Sequence, residues 1–351
     1  MIGSVIADKY KIIRKIASGG MAEVYEAIQP IVRRKVAIKI LYPEYSRDER
    51  AKELFFREAR LVAQELEHPN IVKVYDFGIV DNNLYLVMYY VNGETLERII
   101  RREGKLDIKD ACYIILEVLK ALDYAHQKNI IHRDIKPGNI MITPEKRVYL
   151  LDFGIAALMT EDKEKGKVPG TPEYMAPEQF KGRIDRRSDL YSLGIVLYES
   201  LTGNLPFVGN DIWELQRKIF SENPKPPSYY NPNVPKALDD IVLKALNKIP
   251  SERFQSAYDF AQAILNTNII ENYYIEFKKT DIKNEVVRGG IVQEEETETG
   301  KKTQFVPISD DSETEFEFIE EKRKINFVLI FIISLTLILA GILIWFFLLR
   351  H

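Results

Sequence analysis

Residues 8 to 91 alternate short β-branched and aromatic runs with turn residues. The runs are YKIIRKI, EVYEAI, KVAIKIL, IVKVYDFGIV and LYLVMYYV. Runs of this length and composition are typical of β-strands. One helix-period stretch, ERAKELFFREARLVAQEL, interrupts them. The pattern predicts a small antiparallel sheet with one main helix.

Helix-period segments dominate from residue 92 to residue 267. They include LERIIRRE, IKDACYIILEVLKALDYAHQK, SDLYSLGIVLYESLTG, IWELQRKIF, ALDDIVLKALNK and SAYDFAQAILN. Apolar residues recur in them at the spacing that gives a helix a face to bury. We therefore predict an α+β domain over residues 8 to 267, with a small sheet lobe and a larger helical lobe.

The pattern changes again after residue 267. Residues 268 to 324 include the acidic segments EEETETGKKTQ and SDDSETEFEFIEE, which predict a mostly disordered juxtamembrane linker. Residues 325 to 349 carry no charged side chain, and this run exceeds the roughly 20 residues that span a bilayer. We expect one transmembrane helix there, in contact with membrane lipid.

The charges beside this span predict its orientation. Lys322, Arg323 and Lys324 precede it and only Arg350 follows it, and excess positive charge favours the cytoplasmic side. The amino-terminal MIGSVIADKYKII lacks the basic start and apolar run of a signal peptide. We expect a single-pass protein of the cell membrane with its amino-terminal domain in the cytoplasm.

Composition excludes several classes of protein. A net charge of -3 over 351 residues gives no sign of nucleic-acid binding. The single cysteine, Cys112, has no intramolecular partner, so disulfide bonds cannot staple the fold. The histidines His68, His126, His132 and His351 do not combine with a cysteine at zinc-ligand spacing.

The segment IIHRDIKPGNIMIT, residues 130 to 143, concentrates polar side chains between two β-branched runs. His132, Arg133, Asp134, Lys136 and Asn139 all fall within it. One interpretation is a polar turn between strands, but a connector needs only one or two turn residues. The other interpretation is that the segment carries chemistry, which the remaining polar clusters support.

Five clusters follow one another in the order known for protein kinases. They are ASGGMAEV (17 to 24), VAIK (36 to 39), HRDIKPGN (132 to 139), DFG (152 to 154) and APE (176 to 178). The chain resembles the serine/threonine protein kinases, most closely the bacterial membrane-bound Hanks-type kinases, from residue 8 to about 267. The resemblance implies the two-lobed protein kinase fold and transfer of the ATP γ-phosphate to protein Ser and Thr hydroxyls, with autophosphorylation.

The resemblance also assigns a role to each catalytic residue. Asp134 would accept or orient the proton of the substrate hydroxyl, and Lys136 would reach the γ-phosphate. Asn139 and Asp152 would supply oxygen ligands to Mg²⁺, or to Mn²⁺ in its place. Thr171, in GTPEYMAPE, would support Asp134 and Lys136.

Lys39 ends a strand pattern, where an inward-facing lysine is costly unless it meets an anion. The resemblance implies that ATP phosphates and Glu58, in FFREARLVAQEL, are its partners. The alternative is that Glu58 is one more exposed helix charge among Glu53, Arg57 and Arg60.

The implied ATP site draws on both lobes. Val24, Ala37 and Met141 would sandwich the adenine, and Tyr89 to Val91 would offer hinge backbone groups after a gatekeeper-like Met88. An aromatic-rich strand end is also ordinary core. The full set of expected ATP-binding residues is Ile16, Ala17, Ser18, Gly19, Gly20, Val24, Ala37, Lys39, Met88, Tyr89, Val91, Met141 and Asp152.

The Gly-rich loop departs from the family pattern. Ala17 and Ala22 stand where the first and third glycines are usual, and only Gly19 is kept in register, with Gly20 beside it. Alanine tolerates strand geometry but not positive φ, so ATP binding is expected to survive if Gly19 makes the tight turn.

Two further features concern the activation segment. Glu178 and Arg253, in PSERF, match a buried ion pair that ties this segment to the helical lobe. Arg133 stands beside the catalytic aspartate, where related kinases meet an activation-loop phosphate. Thr160 is the only hydroxyl between Gly154 and Gly170, and permanent anions follow it at positions 161, 162 and 164. We predict that activity depends little on phosphorylation of this loop.

Two hypotheses compete with an active kinase. A pseudokinase scaffold usually lacks one or more catalytic groups, whereas Lys39, Asp134, Asn139 and Asp152 are all present. A receptor with an external ligand domain would need more than the two residues after Leu349. The expected partners are protein substrates and phosphothreonine-reading proteins that bind the linker. A homodimer is left open, and the linker sites are Thr297, Thr299, Thr303, Ser309, Ser312 and Thr314.

Overall fold

A computed structural model describes residues 1–153 and 171–270. Its amino-terminal part is an antiparallel sheet with the strand order β1-β2-β3-β4-β6-β5. The alternating runs form strands because one face packs into a core that includes Ile12, Tyr25, Ile38 and Val87. The strands are β1 (Val5–Ile6), β2 (Tyr10–Ser18), β3 (Ala22–Gln29), β4 (Arg34–Leu41), β5 (Val74–Val80) and β6 (Asn83–Tyr89).

Two helices follow β4, namely the short α1 (Pro43–Ser46) and the main helix α2 (Glu49–Glu65). Asp48 caps α2, because its side chain accepts hydrogen bonds from the amides of Arg50 and Ala51. Ala51, Phe55, Ala59 and Val62 form the buried stripe of α2, which packs against β5. This matches the predicted small sheet with one main helix.

The larger lobe is mainly helical. Its helices are α3 (Leu96–Glu103), α4 (Ile108–Gln127), α5 (Arg186–Thr202), α6 (Ile212–Ser221), α7 (Lys236–Ala245) and α8 (Ala257–Leu265). A three-stranded sheet of β7 (Glu94–Thr95), β8 (Ile140–Ile142) and β9 (Val148–Leu150) lies beside them in the order β7-β8-β9. Short 3₁₀ turns span Pro137–Asn139, Pro172–Tyr174, Gln179–Lys181, Pro227–Tyr229 and Pro250–Glu252.

Helix α5 is the centre of this lobe, and α4 and α7 pack against it. From Ser188 onward all of its residues except Glu199 are buried. Asp185 and Ser188 form a capping box at its start, which satisfies backbone amides that the helix leaves free. The buried helix therefore offers a fixed support for the loop that precedes β8.

No helix within residues 1–153 and 171–270 is long and apolar enough to cross a membrane. The transmembrane helix predicted at 325 to 349 lies outside the described residues, as do residues 271 to 324 of the predicted linker. The activation-segment positions 154 to 170, which include Thr160, also lie outside them.

Candidate active site

A cavity of about 540 Å³ opens between the small sheet and the loop before β8. Every residue that the sequence predicted to bind ATP lines it, and so do the predicted catalytic residues Asp134, Lys136 and Asn139. Glu58 and Thr171 are not among its lining residues. The structure thus brings together positions as far apart in sequence as Ile16 and Asp152.

The loop before β8 arranges its polar side chains around one carboxylate. Lys136 Nζ lies 2.7 Å from Asp134 Oδ2, and Asn139 Nδ2 donates to the same oxygen at 3.0 Å. Asn139 Nδ2 also donates to the Asp134 carbonyl at 2.7 Å. Lys136 Nζ in turn donates to Thr171 Oγ1 at 3.1 Å. These contacts fix the direction of the Asp134 carboxylate and bring Thr171 to the edge of the site.

Asp189 of α5 anchors this loop through its buried carboxylate. Its carboxylate accepts hydrogen bonds from the His132 amide, the Arg133 amide and His126 Nε2, each at 2.8 Å. Burial alone would raise the pKa of Asp189, but the hydrogen bonds from His126 and from the His132 amide outweigh burial and lower that pKa. The buried group therefore stays an anion that holds two successive backbone amides.

Backbone strain accompanies this anchoring. Arg133 has a φ of +69° and Asp152 a φ of +54°, the left-handed region that non-glycine residues rarely adopt. Such residues persist where surrounding contacts over-determine the backbone, and they cluster at functional sites. The hydrogen bonds from the His132 and Arg133 amides to the Asp189 carboxylate supply that constraint at Arg133.

His132 is fully buried and links the loop to the segment after β9. Its Nε2–H donates to the Leu151 carbonyl at 2.7 Å, which leaves Nδ1 to accept from the Asp134 amide at 3.3 Å. Burial lowers the pKa of His132, so the ring is neutral in this arrangement. Its centroid lies 4.6 Å from that of Phe153, which packs the two motif segments together.

Lys39 and Asp152 form an ion pair inside the cavity, with Nζ 2.8 Å from Oδ2. Burial alone would raise the pKa of Asp152, but the charge and the hydrogen bond of the Lys39 ammonium and, more weakly, Lys136 hold that pKa below its usual value. Asp152 is therefore an anion before any cation binds.

The expected ion pair between Lys39 and Glu58 is wrong for this conformation. Among the residues that the structure describes, Lys39 pairs with Asp152, and Glu58 Oε1 accepts from Arg57 Nη2 at 3.1 Å and Nε at 3.3 Å. The ammonium of Lys39 instead takes the partly buried carboxylate of Asp152, and Glu58 pairs with its own neighbour on α2.

The donor set for a divalent cation fits hard-ion chemistry. Asn139 uses Nδ2 for both hydrogen bonds to Asp134, so its amide oxygen is the group left to bind a cation. Asp152 adds a carboxylate, and Mg²⁺ in proteins is usually held by one or two such groups together with phosphate oxygens. No cluster of three His, Cys, Asp or Glu side chains able to hold a metal occurs in the described ranges.

The loop between β2 and β3 closes without unusual backbone geometry. The Gly19 amide donates to the Ala22 carbonyl at 2.9 Å, and neither Gly19 nor Gly20 has a positive φ. Ala17 pairs with Val24 in the β2–β3 ladder, and Ala22 pairs with Leu41. Gly19 thus makes the turn as expected, and the two alanines in the family's glycine positions fit ordinary strand geometry.

The strand end predicted as the hinge borders the cavity through Met88, Tyr89 and Val91. The Tyr89 amide is already used, because it donates to the Lys73 carbonyl at 2.9 Å. Of the backbone groups of Tyr89, only the carbonyl can therefore be offered to a ligand.

The predicted ion pair between Glu178 and Arg253 is present. Arg253 Nη1 and Nη2 donate to the two Glu178 oxygens at 2.7 and 2.8 Å, and Ser188 Oγ also donates to Glu178. The Arg253 side chain is completely buried. Its Nε donates to the Asn247 carbonyl, so the guanidinium also joins the segment after α7 to the same cluster.

Sequence reasoning missed several lining residues. Met21, Ala22, Gly138 and Leu151 lie within or next to the motifs and could have been found from their position alone. The others have no pattern that indicates them, because tertiary folding alone brings them to the cavity. The missed residues are Arg14, Met21, Ala22, Gly93, Thr95, Glu97, Arg98, Gly138 and Leu151.

Comparison with known proteins agrees with this geometry. The protein kinase domain family matches residues 10–269. The chain belongs to the protein kinase family. It is 42% identical over 262 residues to the serine/threonine-protein kinase PrkC of Bacillus subtilis, covering 74% of this chain and 40% of that protein. It is 41% identical over 263 residues to the serine/threonine-protein kinase PknB of Mycobacterium tuberculosis, covering 72% and 42%.

The kinase also resembles a solved structure. The crystal structure of the PknI kinase domain of Mycobacterium tuberculosis aligns with a TM-score of 0.62 and 30% identity, covering 76% of this chain and 98% of that chain. These matches confirm the resemblance to bacterial serine/threonine kinases and the two-lobed kinase fold. The chain spans about 40% of the length of the curated relatives named above.

Proposed function

We propose that the chain is a serine/threonine protein kinase that transfers the γ-phosphate of ATP to Ser and Thr hydroxyls of proteins, itself included. The observation that carries the proposal is the Asp134 carboxylate, which Lys136 and Asn139 hold at 2.7 and 3.0 Å beside the cavity. An aspartate in this position can orient a substrate hydroxyl and receive its proton.

The other groups of the site serve phosphoryl transfer by electrostatics. The phosphoryl group in transfer spreads negative charge over its oxygens, so fixed cations near it lower the barrier. Lys136 is held between Asp134 and Thr171, which keeps its ammonium at the reacting end of the cavity. Lys39 reaches the same cavity from β4, where it would meet the inner phosphates of ATP.

Bound Mg²⁺ or Mn²⁺ would neutralise phosphate charge and fix the phosphate geometry. Asn139 and Asp152 would hold it through oxygen atoms. Lys39 would then exchange part of its contact with Asp152 for phosphate oxygens, and the ammonium would remain the positive group opposite the phosphates. Glu58 would become its carboxylate partner if α2 turned toward the cavity.

We further propose that the kinase is anchored in the cell membrane by residues 325 to 349, with its catalytic domain in the cytoplasm. Support comes from the uncharged run itself and from the three cations that precede it. Tethering would raise the effective concentration of linker hydroxyls near the site, so these are candidate autophosphorylation sites that would attract phosphothreonine-reading partners.

Transfer from γ-labelled ATP to a Ser/Thr peptide library, in the presence of Mg²⁺ or Mn²⁺, tests the proposal. Wild-type protein should label Ser and Thr, as identified by mass spectrometry, and Lys39→Met should nearly abolish labelling. Nucleotide binding without any transfer by folded wild-type protein would favour the scaffold alternative instead.

A further inference from the structure

A hydroxyl pair closes the loop of residues 17 to 22, all of which line the cavity. Ser18 Oγ lies 3.1 Å from the hydroxyl oxygen of Tyr42, and either hydroxyl can donate. Ser18 ends β2 and lines the cavity, whereas Tyr42 directly follows β4 and does not line it. The contact therefore joins the loop tip to a residue outside the nucleotide site.

Tyr42 holds the loop at a second point through its backbone. Its amide donates to the Met21 carbonyl at 2.9 Å, on the β3 side of the loop. Ser18 is on the β2 side, so Tyr42 contacts both arms of the loop formed by residues 17 to 22. Removing the hydroxyl would release the β2 arm and leave the backbone bond to the β3 arm.

The composition of the loop makes such a contact effective. Alanine at positions 17 and 22, in place of the usual glycines, reduces the backbone freedom of the loop. Gly19 and Gly20 lack positive φ, so the closed hairpin has no strained residue that would favour opening. A loop with little freedom can be held in one position by a single side-chain contact.

We propose that Tyr42 is a positioning residue, which holds the loop of residues 17 to 22 over the phosphate end of the site through the Ser18 hydroxyl. A loop already in its binding position loses less conformational entropy when a nucleotide binds, so affinity increases without any contact between Tyr42 and the ligand. This inference rests on the proposed function for the identity of the ligand, a nucleoside polyphosphate.

The test compares Tyr42→Phe, Ser18→Ala and the double variant with wild type. The Kd of Mg²⁺·ADP, measured by calorimetry, and the KM for ATP should rise about three- to tenfold in each single variant, the range expected for one neutral hydrogen bond. The kcat and the thermal midpoint of Tyr42→Phe should stay close to those of wild type, because Tyr42 does not line the cavity. A purely structural defect would instead lower the midpoint and reduce kcat.

The double variant distinguishes the loop contact from a direct contact between Ser18 and phosphate. If both substitutions remove the same hydrogen bond, the double variant binds ADP no more weakly than either single variant. Additive effects, or an unchanged Kd in Tyr42→Phe, would overturn the proposal. Tyr258→Phe, which removes an exposed tyrosine hydroxyl from α8, is the matched control and should bind like wild type.

The calorimetric arm separates this inference from the proposed function. Suppose that wild-type protein transfers no phosphate, while both single variants bind ADP more weakly than wild type, as described. This result would refute the kinase activity and support the role of Tyr42. Normal phosphate transfer with unchanged ADP affinity in Tyr42→Phe would refute the role of Tyr42 alone.

Discussion

Lys39 Nζ lies 2.8 Å from Asp152 Oδ2, so an ion pair joins strand β4 of the small sheet to the residue that is predicted to bind the metal. Both side chains line the same cavity. The pair keeps the partly buried carboxylate charged, since the Lys39 ammonium lowers the pKa of Asp152 against the opposing effect of desolvation. A bound divalent cation would compete with Lys39 for this oxygen.

Asp152→Asn should remove that competition together with the metal ligand. We expect the rate of phosphate transfer to fall about 100-fold or more, because a neutral amide stabilises a divalent cation poorly. ADP affinity measured with and without Mg²⁺ should lose its dependence on the metal. Asp81→Asn, the same substitution in the β5–β6 turn, should leave both unchanged. Unchanged transfer in Asp152→Asn would show that the metal ligand is assigned wrongly.

The motifs predicted which residues line the cavity, because strands and short loops fix the direction of their side chains locally. Val24, Ala37 and Met141 each follow a period-two strand pattern, and the wall that they form follows from it. The partner of Lys39 was predicted wrongly, because Asp152 and Glu58 are both carboxylates and nothing in the sequence says which of them Lys39 contacts. The contact between Ser18 and Tyr42 joins residues 24 positions apart and has no periodic signal.

The Glu178–Arg253 ion pair should contribute strongly to stability, since Arg253 is completely buried. Arg253→Met or Glu178→Gln should lower the free energy of unfolding by about 3–5 kcal/mol, because each leaves one buried group unpaired. The double variant should lose less than the sum of the two. Urea unfolding measures all three.

An exposed ion pair within helix α7 serves as the control. Lys236 and Asp240 lie 3.1 Å apart, with 86% and 62% of their side chains exposed. Lys236→Met should change the free energy of unfolding by less than about 1 kcal/mol. Equal decreases in unfolding free energy at the two sites would mean that the burial of Arg253 does not determine how much stability is lost with its charge.

His68 should make stability depend on pH. Burial lowers the pKa of His68 to about 4, and Nδ1 accepts a hydrogen bond from the Asn70 amide, which requires a neutral ring nitrogen. The unfolded chain binds a proton near the ordinary pKa of about 6.5, so the stabilising effect is complete above that pH and declines as pH falls toward 4.

His68→Asn keeps a side-chain acceptor but removes the titration. The difference in unfolding free energy between wild type and His68→Asn should be largest at pH 7.5. It should shrink by about 1 kcal/mol by pH 5, after allowance for partial solvent screening of the ring. Urea unfolding at pH 7.5, 6 and 5 measures it, and a constant difference would contradict the assigned protonation.

Arg133 is prepared to bind an anion. Its Nε and Nη1 are buried and have no hydrogen-bond partner in the part of the chain that the structure describes. Buried guanidinium nitrogens without partners are costly, and an anion beside them removes that cost. Glu161, Asp162 and Glu164 are permanent anions in the segment that follows Phe153.

We therefore expect Thr160→Ala, and phosphatase-treated wild type, to phosphorylate an added substrate about as fast as untreated wild type. The triple variant Glu161→Gln, Asp162→Asn and Glu164→Gln should be much slower, because Arg133 would then lack the carboxylates that we expect it to meet. A large loss of activity in Thr160→Ala with an unaffected triple variant would show that a phosphate on Thr160 is the partner of Arg133.

The central claim is that Asp134 acts on the substrate hydroxyl, and single-turnover phosphate transfer by Asp134→Asn tests it most directly. The enzyme is saturated with Mg²⁺·ATP, and the ADP Kd is measured on the same preparation. We predict an ADP Kd close to that of wild type and a transfer rate lower by about 100-fold or more, the upper part of the range for loss of a general base. Transfer at the wild-type rate with intact nucleotide binding would contradict the role of Asp134 and the mechanism built on it.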